Sequence, residues 1–175
     1  MGAAFAYYWV SAGWYRRNPD LIADIERYEG FLKMCYIAGG IGTIAGYFGS
    51  RPYQDPVETT FPQFIAQSRI HAFFSHLDEF LLESSLLPGP DRHRWSRDLP
   101  AYEFPTGNGN RRVLVRKHRD RDQWLVGAWA ADGRAGSVEV EIPLAGKFDL
   151  EAIAETNVYL IEIADGLSQK RKKRP

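Results

Sequence analysis

One cysteine, Cys35, occurs in 175 residues, and a lone thiol excludes an internal disulfide framework. Net charge is also absent, with 22 Lys plus Arg against 22 Asp plus Glu. The chain lacks an uninterrupted apolar run of the roughly 20 residues that a membrane helix needs. It does not lack aromatics, which make up 14% of it, beside 45% hydrophobic residues. That composition is globular and argues against a wholly disordered chain.

The neutral balance hides an asymmetry. Lys170-Arg-Lys-Lys-Arg174 holds five of the 22 basic residues, which leaves 17 against 22 acids elsewhere. The body is mildly acidic and offers no electrostatic footprint for nucleic acid. The basic run reads first as a solvated, frayed terminus and second as a polybasic anchor.

Residues 2–14 are uncharged and are followed by Arg16-Arg17. A secretory signal carries its positive charge before the apolar run, so no signal peptide is recognised. The chain is expected to be soluble, and cytoplasmic if complete. Residues 34–50 are also uncharged but hold Gly39, Gly40, Gly42, Gly46 and Gly49. Each glycine costs a helix roughly 1 kcal/mol relative to alanine. A buried strand with tight turns fits this run better than a membrane span.

Two halves differ in period. Residues 3–16 are apolar on nearly every side, which suits a helix buried in a larger assembly. Asn18-Pro19-Asp20 opens a second helix, with Leu21, Ile22, Ile25, Tyr28, Phe31, Leu32 and Cys35 at helical spacing. Ile41–Phe48 reads as a short buried strand. A third helix is expected from near Pro62, through Ile65, Ile70, Phe73, Phe74, Leu77 and Phe80, to before Pro88.

The later half reads as strands: Val113–Val115 and Val138–Ile142 alternate, Trp124–Ala130 is nearly all apolar, and Phe148–Ile153 and Val158–Ile163 add two more. Turn chemistry separates them, at Gly107-Asn-Gly-Asn110, His118–Asp122 and Asp132-Gly-Arg134. Short strands at this spacing predict an antiparallel β-sandwich. The fold class is therefore α+β and multi-domain. The expected divisions are a helix-rich unit over 1–90, a linker over 91–100, a sandwich over 101–168 and a disordered basic tail over 169–175.

Few residues group in a pattern that chemistry requires. His71, Ser75 and Asp78 share one helix at i, i+4 and i+7, the residue types of a hydrolytic triad. A triad needs its hydrogen bonds in series and an exposed nucleophile, which side chains stacked along one helix rarely give. A polar seam is the better reading. His71 and His76 are five apart, and the helical zinc spacing is four. With His93 and His118 in polar loops and one cysteine, no metal site is expected, nor any cofactor. Glu26 and Glu29 lie a turn apart and read as solvent-facing. Asp55 and Glu58 lie after the glycine-rich strand, and nothing in the sequence brings them together. Gly39-Gly-x-Gly42 lacks the lysine of a phosphate loop. Tyr47, Arg51 and Tyr53 fall at that strand's end, where aromatic rings can stack on sugars and Arg can clamp hydroxyls or carboxylates. With Asp55 they form the candidate substrate-binding set, and the catalytic residues are unassigned.

Several stretches carry a family resemblance: Gly39-Gly-Ile-Gly-Thr-Ile-Ala-Gly-Tyr-Phe48, His71-Ala-Phe-Phe-Ser-His-Leu-Asp-Glu-Phe-Leu-Leu82 and Leu86-Leu-Pro-Gly-Pro90. Val113-Leu-Val-Arg-Lys117 and Trp124-Leu-Val-Gly-Ala128 add to them. In this order they resemble the C-terminal part of a (β/α)8-barrel glycoside hydrolase with its β-sandwich domain. The resemblance covers most of residues 20–165 and rests on order and spacing. It implies a carbohydrate substrate or glycan as partner, together with the rest of the barrel, or self-association through the apolar N-terminal helix. Such a barrel needs about 250 residues, so about two β/α units fit here, and the family's catalytic carboxylates map onto no position in this sequence. The expected function is thus an inactive C-terminal portion of a glycosidase. The alternatives are a glycan- or protein-binding β module and a small membrane-associated protein using residues 2–14, 34–50 and the basic tail.

Overall fold

A computed structural model describes residues 25–40, 57–93, 96–164 and 167–173. The elements run α1 (Ile25–Ile37), α2 (Val57–Ser75), α3 (Asp78–Leu82), β1 (Ser84–Leu86), β2 (Arg92–His93) and β3 (Ser96–Pro100). They continue as β4 (Arg111–His118), β5 (Gln123–Ala130), β6 (Gly136–Ile142), β7 (Gly146–Ala152), β8 (Asn157–Ala164) and β9 (Leu167–Lys173). The fold is α+β. One sheet has the order β1-β4-β5-β8-β9, while β2-β3 and β6-β7 form separate two-stranded pairs. All of these strand pairs are antiparallel. The expected barrel-type strand at 41–48 and the expected helix at 3–16 lie outside the described residues.

The alternation of side chains along a strand sends successive residues to opposite faces. On β4 and β5, Val113, Val115, Trp124, Val126 and Ala128 face the β6–β7 hairpin, whose Val138, Val140, Ile142 and Leu150 complete one core. Leu114, Leu125 and Trp129 face the other way, joining Val158 of β8 against α1 and α2. β5 is covered on both faces, which explains why Trp124–Ala130 is buried throughout and reads as an unbroken apolar run.

α1 ends in a Schellman cap. The Gly40 N–H donates to the Cys35 carbonyl and the Gly39 N–H to the Tyr36 carbonyl, each at 2.9 Å, with Gly39 at φ +108°. This conformation is nearly free for glycine and strained for other residues. Gly39-Gly40 is thus a helix stop. Beside it the half-buried Cys35 thiol is pushed up to about 12 by desolvation, which makes it a packing group.

The structure departs from the expected divisions at three places. The helix-rich unit contributes β1, which pairs with β4 from Ser84↔His118 to Leu86↔Arg116. The helices share a core with the sheet, so no gap in packing separates residues before and after 90. The basic stretch Leu167–Lys173 is a strand, registered on β8 from Ala164↔Leu167 to Val158↔Lys173. Its lysines are held by hairpin acceptors: Lys170 reaches the Asp149 carbonyl and Lys172 the Glu151 carboxylate. Among the described residues, no helix is long and apolar enough to cross a membrane.

Candidate functional site

Tyr47, Arg51, Tyr53 and Asp55, the sequence-derived substrate set, lie outside the described residues. Glu58 falls in the first turn of α2. The polar groups that can be located are sorted by what they bond.

His71, Ser75 and Asp78 do not converge. His71 Nδ1 pairs with the Tyr36 hydroxyl, and the Tyr36 ring stacks on Phe74 at 4.6 Å. Ser75 Oγ donates to the Ala72 carbonyl at 2.7 Å, and Asp78 Oδ1 accepts the Glu79 N–H at 2.7 Å. The group is a set of local helix bonds plus one interhelical contact. His118 is buried at the end of β4, contrary to its reading as a loop residue. Its Nδ1 accepts the N–H groups of Asp120 and Arg121 at 3.1 and 3.2 Å, so it closes the β4–β5 turn. Among the described residues, no group of three or more His, Cys, Asp or Glu is placed to hold a metal.

Two polar clusters at the helix–sheet seam were hidden in the sequence. Arg116, on the helix-facing side of β4, is buried and bonds four ways. Nε donates to Ser84 Oγ at 2.8 Å and Nη1 to the Ile37 carbonyl at 3.1 Å. Nη2 donates to the carbonyls of Ser84 at 2.8 Å and Leu81 at 3.2 Å. One guanidinium fork therefore satisfies the carbonyl ends of two helices, where four acceptors otherwise lack partners.

The second cluster lines a cleft of about 350 Å³ among α1, α2, the β7–β8 turn and β9. Glu29 and Lys33, one turn apart on α1, are both buried, which corrects the solvent-facing reading of Glu29. Arg69 of α2 explains it, with Nη1 at 3.3 Å from Glu29 Oε1. Lys33 Nζ donates to the Thr156 carbonyl at 3.3 Å. Burial holds its pKa below the ordinary lysine value, against upward pulls from Glu29 and Glu155. Thr156 has φ +60°, a strained conformation for a β-branched residue. Its Oγ1 donates to the Gly30 carbonyl at 2.9 Å. Asn157 donates from Nδ2 to the Glu151 carbonyl at 2.8 Å, which secures the other side of the turn. Lys172 and Lys173 of β9, with Glu155, complete the polar lining.

No protein-family model, curated protein or solved structure matches this chain.

Proposed function

We propose that the chain is a non-catalytic terminal portion of a carbohydrate-active hydrolase. In this reading the helices belong to the last units of a (β/α)8 barrel. The five-stranded sheet and the β6–β7 hairpin form the β-sandwich that closes over them. The observation that carries the proposal is the seam. α1 presses on the sheet so closely that a Cβ on Gly30 would lie 1.9 Å from the Ala154 carbonyl oxygen, and one on Gly127 would lie 2.4 Å from Ile37 Cδ1. A β unit merely tethered by a linker has no need of such fit; one that covers the outer helices of a larger domain does.

The polar residues agree with a non-catalytic role. Arg116, Thr156, Asn157 and the Glu29–Arg69 pair of the seam are engaged in structural bonds, and two carboxyl groups for glycoside cleavage would have to face each other across a sugar. Tyr102 is the one exposed Phe, Tyr or Trp among the side chains described, which leaves little platform for stacking a glycan and favours the scaffold over a glycan-binding module.

The purified chain, assayed on a panel of aryl glycosides and polysaccharides, is expected to release no product above blank. Turnover of any of them overturns the proposal. Retention on a polysaccharide column transfers the assignment to a glycan-binding module. Sequencing of the DNA upstream of Met1 is expected to find an in-frame continuation encoding further β/α units, and an in-frame stop without one removes the barrel from the reading.

A further inference from the structure

Lys33 is an unusual residue for a seam. Its side chain is within a few per cent of full burial, and its ammonium carries three donors. One of them meets the Thr156 carbonyl at 3.3 Å, and no other hydrogen-bond partner is found among the described residues. An apolar side chain of similar length would pack there without the desolvation penalty of a charge. Lys33 nonetheless lines the cleft of about 350 Å³, at the lower end of the size of small-molecule sites.

The cleft has an excess of one sign. Four cations, Lys33, Arg69, Lys172 and Lys173, face two carboxylates, Glu29 and Glu155. Two of these cations are already engaged, Arg69 by Glu29 and Lys172 by Glu151 outside the lining, which leaves Lys33 and Lys173 against Glu155. Backbone strain is placed at the same spot, because Thr156, at φ +60°, presents the carbonyl that Lys33 bonds. Strain of this kind persists only where the surroundings hold it, and it collects at ligand sites.

We propose that this cleft binds a small oxyanion, a phosphate or carboxylate group on a compact polar molecule. Lys33 meets it at the floor, with Arg69 and Lys172 at the rim. Lys33 supplies the donors left over from Thr156 in a setting of low water content, where a charge-assisted bond is strong. Arg69 and Lys172, whose side chains are 59% and 37% exposed, attract the anion from the rim while each keeps its carboxylate partner, Glu29 and Glu151. The proposal does not depend on the hydrolase reading, since the site lies in the seam itself.

The test titrates the full chain with inorganic phosphate and, separately, with glucuronate, following thermal unfolding and calorimetric heat. Chloride holds the ionic strength constant, because exposed lysines respond to salt alone. Neutral glucose is the control. Saturable stabilisation by at least one anion, with Kd on the order of 1 mM, is expected. The preferred anion then identifies the group. Lys33→Met should weaken that binding about tenfold or more, as loss of a charged hydrogen bond requires. Lys147→Ala, on the hairpin, should leave it unchanged. Amide NMR of the unsubstituted chain adds a readout independent of the variant's folding: the signals of Lys33, Thr156 and Asn157 should shift with the same saturation. No saturation up to about 50 mM of either anion overturns the proposal. So does equal binding by Lys33→Met, or shifts confined to β9.

Discussion

The two faces of the central sheet are built by different rules. The hairpin face, with Val113, Val115, Trp124, Val126, Val140, Ile142, Leu150 and Ile161, is filled by apolar side chains. The helix face combines apolar contact with Arg116, Lys33, Glu29, Thr156 and two glycines that admit no Cβ without movement. Hydrophobic burial holds both faces, but it is non-directional. The hairpin, chained to its neighbours by short turns, relies mainly on that, with peripheral bonds to β7 from the Tyr159 hydroxyl and the Lys170 and Lys172 ammonium groups. Helices arriving from far along the sequence need their angle and depth fixed, and bonds with direction supply it: Arg116 to Ile37, Thr156 to Gly30, Lys33 to Thr156.

The contrast can be broken by substitution. Arg116→Met keeps much of the volume but orphans acceptors on α1, α3 and β1, so it should lower stability by about 4 kcal/mol in denaturant unfolding. Gly30→Ala adds one methyl against the Ala154 carbonyl and the Trp129 indole and should destabilise by about 3 kcal/mol. Loss of hydrogen-exchange protection should concentrate in α1. On the opposite face, Leu150→Met is a volume-conserving swap and should lose about 1 kcal/mol, with an unchanged denaturant slope. A larger loss there than at Arg116 would reverse the comparison.

A pH series probes the buried charge. With the Lys33 pKa lowered by desolvation, the unfolded chain binds more protons than the folded one between the folded value and the ordinary 10.5. Stability should therefore rise with pH across that window. Glu29 and Glu155 temper the shift, and Arg69 and Lys172 add to it. Lys33→Met should flatten the rise, and an unchanged slope would show that another group titrates. The smallest effect is expected at Arg121→Ala, whose pair with Glu79 is half or more exposed on both sides, at about 0.5 kcal/mol or less.

The later strands were readable because each is bounded by turn residues and carries either a period of two, as in Val138–Ile142, or an unbroken apolar run, as in Trp124–Ala130. β4, β5, β6, β7 and β8 each overlap the runs read from sequence. α1 and α2 were readable from helical spacing, although α2 starts at Val57, ahead of Pro62, and closes at Ser75. The seam was not readable. Glu29 looks like any exposed helix acid until Arg69 arrives from α2, and Arg116 looks like the outward residue of an alternating strand until helix carbonyls cover it. Residues 169–175 read as a solvated tail because their charge density is high, whereas the pairing of Leu167–Lys173 comes from β8 and from acceptors on the hairpin. Such long-range partners leave no local period. A signal within reach was the excess of acid in the body, which gives basic residues somewhere to go.

The strand formed by that basic stretch has a consequence for the protein's life among its own copies. A sheet ends in two rows of unpaired backbone groups, and each is an invitation to a neighbour's strand. Among the described residues one border is β1, three residues long. The other is β9, dense in lysine and arginine. A border too short to template and a border that repels its own image are the two common guards against runaway stacking. Neutralising Lys170, Arg171 and Lys172 would leave the fold's interior untouched and open that second border.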